Sequence, residues 1–233
     1  MNPQSSSLLE PSIAAVVPAF NEDTVIAEVV QGLLDKCTYV IVIDDCSTDN
    51  TSAVALKAGA IVLRHEMNLG QGAALQTGFD MAQKLKADRI LTFDADGQHD
   101  PDDIAKMSAI MDEQGVDAVL GSRFLGKTID MPMTRRLFLL AARLFTNITT
   151  GVQLTDAHNG IRLFKSSALA RFRITQNRMA HASEIVDAVG KHKISYAECP
   201  VSIRYTSYSL AKGQKLSNSL RILTELLNGM IMR

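Results

Sequence analysis

Short runs of apolar residues alternate with amphipathic segments along the first half of the chain. Five of these runs predict buried strands, over residues 13–17, 39–43, 60–63, 89–93 and 117–120. Between them apolar residues recur at helical spacing, as over residues 26–34, and a glycine-led helix is predicted over residues 70–85. Strands that alternate with helices at this rhythm predict βαβ units and a mostly parallel sheet.

The pattern changes after Gly121. It predicts a long apolar helix over residues 135–149, an irregular stretch, a second helix over residues 182–190 and a strand over residues 194–205. Leucines and Ile231 recur at helical spacing near the end and predict an amphipathic helix over residues 211–233. Such a helix can pack on the sheet or lie on a membrane surface, and the pattern does not decide between the two.

Nothing in the sequence indicates a division into separate domains, because no stretch rich in Pro, Gly or Ser forms a linker. Residues 1–10 are expected to form a flexible tail, and residues 11–210 a single α/β domain. The first half of that domain, about residues 11–125, would bind one substrate, and we call it the donor half. The second half, about residues 126–210, would supply the site of the second substrate, and we call it the acceptor half.

Composition narrows the class of protein. The length of 233 residues suits one domain with a sizeable core. The net charge of −1 gives no support for general nucleic-acid binding, so we predict no nucleic-acid partner. The three cysteines have neither CxxC spacing nor an even count, which favours reduced thiols in a cytoplasmic protein. No stretch approaches the roughly 20 apolar residues that a membrane-spanning helix needs.

Two acidic clusters follow directly on predicted strands and indicate the chemistry. Asp44 and Asp45 follow one strand, and Asp94 and Asp96 follow another. Parallel strands present their carboxyl ends at one edge of the sheet, where open α/β folds bind ligands. Carboxylate oxygens suit Mg²⁺ or Mn²⁺, and these ions in turn suit a diphosphate. The sequence therefore predicts a metal-assisted enzyme that acts on a nucleotide diphosphate.

Five motifs occur in an order that resembles family 2 glycosyltransferases. They are Val17-Pro-Ala-Phe-Asn-Glu22, Val42-Ile-Asp-Asp45 with Ser47-Thr-Asp-Asn-Thr51, Asn68-Leu-Gly-Gln-Gly-Ala73, Asp94-Ala-Asp-Gly-Gln98 and Gly121-Ser-Arg123. Each motif is weak alone, but the set is specific. Within the family, the chain most resembles the dolichol- and polyprenyl-phosphate sugar synthases. The resemblance implies a GT-A type fold, with a Rossmann-like, mostly parallel mixed sheet flanked by helices.

The resemblance also implies which residues hold the sugar donor and the metal ion. The residues it assigns to the nucleotide and its diphosphate are Pro18, Phe20, Glu22, Asp45, Gly72, Asp94, Ala95 and Asp96. The metal, Mg²⁺ or Mn²⁺, would lie against Asp94, Asp96 and Gln98, with Asp96 and Gln98 as direct ligands.

For the reacting end, the resemblance implies that Arg123 and one of Arg135 or Arg136 face the transferred sugar or an acceptor phosphate. Asp156 matches a later family motif through Thr155-Asp-Ala-His-Asn-Gly160-Ile-Arg162, in which an isoleucine replaces the usual aromatic residue. A hydroxyl acceptor needs a carboxylate base within reach, whereas an ionised lipid phosphate does not. Asp156 is therefore either that base or an orienting group, with Glu184 as a second candidate base.

We therefore expect an inverting transferase that moves a sugar from a UDP- or GDP-linked donor to a polyprenyl phosphate. It would work at the cytosolic face of the membrane, on the membrane surface or beside a small membrane protein. The family's Gly-x-Ser-Lys motif appears only as Gly213-Gln-Lys215, so a saccharide hydroxyl acceptor stays open. A third alternative is a non-catalytic subunit that binds a nucleotide sugar. As metal ligands we rank His99, His158 and His181 below the carboxylates.

Overall fold

The computed structural model of the protein describes residues 10–126, 128–129 and 133–204. The strands in these residues are β1 (Ile13–Ala19), β2 (Tyr39–Asp44), β3 (Ile61–Arg64), β4 (Arg89–Thr92), β5 (Ala118–Ser122), β6 (Thr128–Ile129), β7 (Arg162–Lys165), β8 (Tyr196–Pro200) and β9 (Ile203–Arg204). The helices are α1 (Ile26–Leu34), α2 (Thr51–Lys57), α3 (Gln71–Lys84), α4 (Asp103–Gln114), α5 (Met133–Thr150), α6 (Ser166–Leu169) and α7 (His181–Lys191).

Seven of the strands form one mixed sheet in the order β3-β2-β1-β4-β7-β5-β8. Its neighbouring strands are parallel, except that β7 runs antiparallel to both β4 and β5. The short strands β6 and β9 form a separate parallel pair. The single α/β domain with a mostly parallel mixed sheet is confirmed.

Apolar side chains cover both faces of the sheet, as expected for strands that read as continuous apolar runs. In β1, Ala15 and Val17 pack in a cluster with α1, α2 and α4, whereas Ala14 and Val16 pack in a second cluster with α3, α6 and α7. These two clusters fix the sheet between helical layers, so the loops at the carboxyl ends of the strands start from a rigid frame.

Most predicted elements are present, with shifted boundaries. Strand β1 continues through Pro18 to Ala19, although the sequence predicts a stop at the proline. Proline has no backbone N–H to donate. Because the pairing of β1 with β4 ends at Val16 and Thr92, no hydrogen bond of that ladder requires an N–H from Pro18. The strand predicted over residues 194–205 is instead two short strands, β8 and β9, in different sheets.

The stretch predicted as irregular contains a strand that the sequence pattern did not reveal. Strand β7 inserts between β4 and β5, so a segment from the predicted acceptor half lies in the middle of the sheet. It brings the loop over residues 154–161 to the carboxyl edge of β4, where the second acidic cluster lies. Residues 1–9 of the predicted tail and the predicted helix over residues 211–233 lie outside the described residues.

Candidate active site

Polar residues follow the carboxyl ends of β1, β2, β4 and β5, and β7 begins at the same edge because it runs antiparallel. Along this edge the sheet order places the ends of β2 and β1 first, then the end of β4, the start of β7 and the end of β5. The acidic and basic residues singled out from the sequence are therefore spread along one edge in a defined order.

The β2 end carries two buried carboxylates with different partners. Asp44 accepts from the Ser47 backbone N–H and from the Arg64 guanidinium, each at 2.8 Å, and pairs with Ser52. Burial of the Asp44 carboxyl favours its neutral form, but the hydrogen bonds from the two serines outweigh burial and lower its pKa. Asp44 thus organises the turn that leads into α2.

Asp45 holds the loop that precedes α3. Its carboxylate accepts from the backbone N–H groups of Leu69 at 2.9 Å and Gly70 at 2.7 Å, and from His65 Nδ1 at 2.8 Å. The predicted role of Asp45 in holding the donor stays a prediction, and in this structure the side chain shapes the loop beside the proposed nucleotide site.

The β1 end presents the aromatic and acidic residues of the first motif. Phe20 is 42% exposed, as a side chain available to stack on a base would be. Asn21 has a left-handed φ of 54°, which turns the chain before α1. Glu22 is buried, and its backbone N–H donates to Thr51 Oγ1 at 2.8 Å. Pro18 is the last residue but one of β1.

The N-terminus of α3 contacts a loop of the same chain. The backbone N–H groups of Gly72 and Ala73 donate to the Asn177 carbonyl, at 2.8 and 3.2 Å. A β-carbon on Gly72 would lie 2.0 Å from the Gln176 carbonyl oxygen, so only glycine permits this approach. Gly72 was predicted to bind the donor, and the structure places it against residues 176–177.

Glu184 anchors that loop. Its carboxylate accepts from the Thr175 N–H at 3.0 Å, the Thr175 hydroxyl at 2.6 Å and the Gln176 N–H at 2.9 Å. We call residues 174–180 the strap, because they run from α6 to α7 across the start of α3. The strap is a feature that the sequence analysis did not anticipate.

Asp94 follows β4 and is held from two sides. Gln71 Nε2 donates to its Oδ1 at 3.1 Å, and His99 Nε2 donates to its Oδ2 at 3.0 Å. Burial raises the pKa of this carboxyl, but the hydrogen bond and charge of His99, together with the charge of Arg162, lower it overall. His99 itself is buried, and its Nδ1 has no hydrogen-bond partner among the described residues.

The surroundings of Asp96 disfavour an unpaired negative charge on its carboxylate. Burial, and then the negative charge of Asp94, raise its pKa to about 6. It accepts one hydrogen bond, from the Gln98 backbone N–H at 3.1 Å, and Ala95 between the two acids is buried. A divalent cation would relieve the repulsion between Asp94 and Asp96, so the donor set fits Mg²⁺ or Mn²⁺.

The described residues contain no cluster of three or more carboxylate, imidazole or thiol groups arranged to hold a metal ion by themselves. Mg²⁺ is usually bound by one or two carboxylates together with substrate phosphates. The pair of carboxylates after β4 matches the protein part of that arrangement.

A buried ion pair joins the end of β5 to the loop before β7. Arg123 Nε donates to Asp156 Oδ2 at 2.5 Å, and Arg123 Nη2 donates to the His158 carbonyl at 3.0 Å. The side chains are only 7% and 1% exposed. Glu198 on β8 supports the pair, because it accepts from the Thr155 N–H at 2.9 Å and from the Asp156 N–H at 3.3 Å.

The two arginines predicted on the acceptor side both lie in α5. Arg136 is exposed, and the Arg135 side chain lies outside the described part of the structure. Helix α5 has three arginines and no acidic residue in its sequence. It therefore contributes positive charge to the part of the domain that is predicted to bind the acceptor.

Three residues near Asp94 received less weight in the sequence analysis than the structure gives them. Arg162 is buried and its pKa falls to about 10, chiefly because of burial. His158 and His181 each have a pKa lowered to about 4, again chiefly by burial, so both are neutral at pH 7. The only signal for Arg162 was its place in the motif after Gly160.

Comparisons with known proteins agree with this architecture. The sequence model described as glycosyl transferase family 2 matches residues 14–173. An uncharacterized protein of Methanocaldococcus jannaschii is 35% identical, over 97% of this chain and 95% of its own. A UDP-N-acetylglucosamine–dolichyl-phosphate N-acetylglucosaminyltransferase of Methanococcus voltae is 32% identical, over 92% and 94%.

A solved structure supports the fold. Glucosyl-3-phosphoglycerate synthase of Mycobacterium tuberculosis, in complex with Mn²⁺, UDP-glucose and phosphoglyceric acid, superposes with a TM-score of 0.66 and 18% identity. The match covers 94% of this chain and 79% of that one. The chain therefore belongs to glycosyl transferase family 2, as a glycosyltransferase with the GT-A fold.

Proposed function

We propose that this glycosyltransferase moves a sugar from a UDP-linked donor to a polyprenyl phosphate, with inversion at the anomeric carbon and with Mg²⁺ or Mn²⁺ as cofactor. The name of the Methanococcus voltae relative, which contains both UDP and dolichyl phosphate, supports the donor and the acceptor. The M. tuberculosis complex with Mn²⁺ and UDP-glucose supports the metal and the nucleotide.

The observation that carries the choice of acceptor concerns the candidate bases. A general base must lie within hydrogen-bond reach of the proton it removes. The Asp156 side chain is 1% exposed and pairs with Arg123. The Glu184 carboxylate accepts three hydrogen bonds from Thr175 and Gln176. Neither is placed to take a proton from an acceptor hydroxyl, whereas a phosphate brings its own ionised oxygen.

The reaction then needs no proton transfer. An oxygen of the acceptor phosphate attacks the anomeric carbon, the bond from that carbon to the diphosphate oxygen breaks, and UDP leaves with the bonding electrons. A single displacement of this kind inverts the carbon. When bound beside Asp94 and Asp96, the cation would neutralise the charge that develops on the leaving diphosphate.

Arginines would contact the acceptor phosphate and fix the loop beside the reacting carbon. Arg136 is exposed on α5, close in sequence to Arg135, and can face the acceptor phosphate. Arg123 is turned inward to Asp156, so we assign it the role of fixing the loop over residues 155–159 beside the reacting carbon.

A membrane-surface location fits the exposed residues of α5. Met133, Leu144 and Ile148 are 66%, 60% and 73% exposed on a helix that also carries arginines. An apolar stripe flanked by basic residues suits the surface of an anionic bilayer. In the part of the chain that the structure describes, no helix has the length and apolar character needed to span the bilayer.

The test is transfer by the full chain, with radiolabelled UDP-sugars, Mn²⁺ and either a short polyprenyl phosphate, the matching polyprenol or no lipid. Label that moves to the polyprenyl phosphate alone supports the proposal. Asp96→Ala should abolish this transfer, and Leu56→Ala, on an exposed face of α2, should leave it unchanged.

Two other outcomes would overturn the proposal. Transfer to saccharide hydroxyls, with no product on the lipid phosphate, would favour the hydroxyl-acceptor alternative. Donor binding without turnover of any donor would favour a non-catalytic subunit.

A further inference from the structure

A cavity opens beside Asp94, between the start of α3, the end of β4 and the start of α7. Its lining includes the apolar residues Leu75, Met179 and Ile185 and the polar residues Asp94, Arg162 and His181. None of the assigned roles for donor, metal or acceptor uses Arg162 or His181. The two polar groups are therefore available to recognise a further part of the substrate.

Arg162 offers unused hydrogen-bond donors to this cavity. Its Nη2 donates to the carbonyls of Ala157 at 3.2 Å and Ala182 at 3.4 Å. In the described part of the chain its Nε and Nη1 have no acceptor, and no carboxylate lies within ion-pair distance. Arg162 is about 5% exposed, and a buried guanidinium whose N–H groups lack acceptors costs free energy. The site therefore favours a ligand with an oxygen that accepts hydrogen bonds.

His181 offers the complementary group. Its Nδ1 lies 2.7 Å from the Arg178 carbonyl, which can only accept, so Nδ1 carries the proton. Because the ring is neutral, Nε2 keeps its lone pair, and this atom has no partner among the residues that the structure describes. The cavity thus presents hydrogen-bond donors from Arg162 and a hydrogen-bond acceptor, Nε2 of His181.

The order along the sheet edge tells which part of the substrate reaches this cavity. The nucleotide end belongs to β2 and β1, and the acidic pair that suits the diphosphate follows β4. Arg162 begins β7, the next strand along, and Arg123 follows β5 beyond it. A nucleotide sugar laid along this edge puts its sugar at β7, between the diphosphate and the acceptor.

We propose that this cavity binds the acetamido group of a 2-acetamido sugar on the donor, an inference that rests on the proposed function. An amide presents one accepting oxygen and one donating N–H. The oxygen would accept from Arg162, the N–H would donate to His181 Nε2, and the methyl group would pack on Leu75, Met179 and Ile185. A plain hexose offers a hydroxyl there but no methyl group to pack on the apolar lining residues.

The test is calorimetry on the full chain with Mn²⁺ and four ligands: UDP, UDP-glucose, UDP-glucuronate and UDP-N-acetylglucosamine. We expect UDP-N-acetylglucosamine to bind at least about tenfold more tightly than UDP-glucose. Arg162→Met and His181→Phe should each bring that ratio close to one and leave UDP affinity unchanged. Arg89→Met is the matched control, since Arg89 is equally buried at the opposite end of β4 and should preserve the ratio.

The outcomes separate this inference from the proposed function. If UDP fails to bind, the proposal of a UDP-linked donor is itself overturned. UDP that binds, with no preference for the acetamido sugar or with UDP-glucuronate binding most tightly, would overturn only the role of the cavity. If Arg162→Met does not fold, His181→Phe alone decides, and a ratio that it leaves unchanged counts against the proposal.

Discussion

Gly160 lies directly against the carboxylate of Asp94. A β-carbon at this glycine would lie 2.0 Å from Asp94 Oδ2, a separation that nonbonded atoms do not reach. The Gly160 carbonyl also accepts from the Thr92 hydroxyl at 2.6 Å, which ties the loop before β7 to the end of β4. The glycine thus sets the position of the first acidic residue in the proposed metal site.

This contact gives the first prediction. Gly160→Ala should displace Asp94 and weaken Mn²⁺-dependent donor binding by roughly 10- to 100-fold, as changes behind a metal ligand commonly do. Calorimetry with UDP-sugar and Mn²⁺ measures the effect. Gly115→Ala is the control, because it strains a left-handed glycine at the far end of α4 where nothing lies within 4 Å of the added β-carbon. Equal losses in the two variants would count against a specific role for Gly160.

The pKa of Asp96 predicts how metal binding depends on pH. Because the metal-free carboxyl titrates near pH 6, protons compete with the cation below that value. Mn²⁺-dependent binding of a UDP-sugar should be constant above pH 7 and fall about tenfold per pH unit well below pH 6. Asp96→Ala should remove the Mn²⁺ dependence altogether. Wild-type affinity that is flat between pH 5 and 7.5 would contradict this assignment.

The same carboxyl affects stability in the absence of metal. Its folded-state pKa lies above the ordinary value of 3.8, so the unfolded chain releases the proton first and stability falls as pH rises from about 4 to 6. Asp96→Asn removes this penalty and should stabilise the metal-free protein at pH 7.5 by on the order of 2 kcal/mol. Urea unfolding at pH 4 and pH 7.5 provides the comparison, and an equal stability of variant and wild type at pH 7.5 would refute it.

Two substitutions at Asp156 distinguish a positioning role for this residue from a role as general base. Asp156→Asn keeps an oxygen for Arg123, so the rate with a lipid phosphate should stay within about tenfold of wild type. Asp156→Ala leaves the buried guanidinium unpaired and should cost about 3–5 kcal/mol of stability. A loss of roughly 10²–10⁴-fold in rate for Asp156→Asn, with donor binding intact, would identify a general base instead.

Glu184 should act through the strap. Glu184→Gln retains an acceptor oxygen for Thr175 and should keep most of the transferase rate. Glu184→Ala frees the strap from α7, and we expect a loss of about 1–3 kcal/mol in stability together with weaker donor binding. Steady-state rates and thermal unfolding of both variants measure this. A large rate loss in Glu184→Gln without loss of stability would show that the carboxylate has a chemical role.

Helix α5 should carry membrane affinity. The double change Leu144→Asp and Ile148→Asp should reduce co-sedimentation with phosphatidylglycerol vesicles by at least about tenfold, because it charges the exposed apolar stripe. Leu56→Asp is the matched control, since Leu56 is 65% exposed on α2. If both proteins sediment alike, α5 is not the membrane-binding surface.

Local patterns in the sequence were enough to predict most of the first half of the fold. Strands β1 to β5 each follow from a short apolar run, helix α1 follows from helical spacing, and α3 follows from the glycine-led segment at its start. The carboxylates of Asp94 and Asp96 come directly after a strand, so their place at the sheet edge follows from the strand itself. The carboxylates themselves indicated a metal ion and a nucleotide diphosphate, and the family motifs added the sugar and the residues assigned to the donor.

The tertiary structure alone decided how distant segments meet. Strand β7 is only four residues long, and its place between β4 and β5 depends on pairing with residues far along the chain. The approach of Gly160 to Asp94 and of Asn177 to Gly72 likewise joins segments that no local pattern relates. Local periodicity records which face of an element is buried, but not which element covers it. Contacts of this kind buried Asp156, engaged Glu184 and left Arg162 facing a cavity.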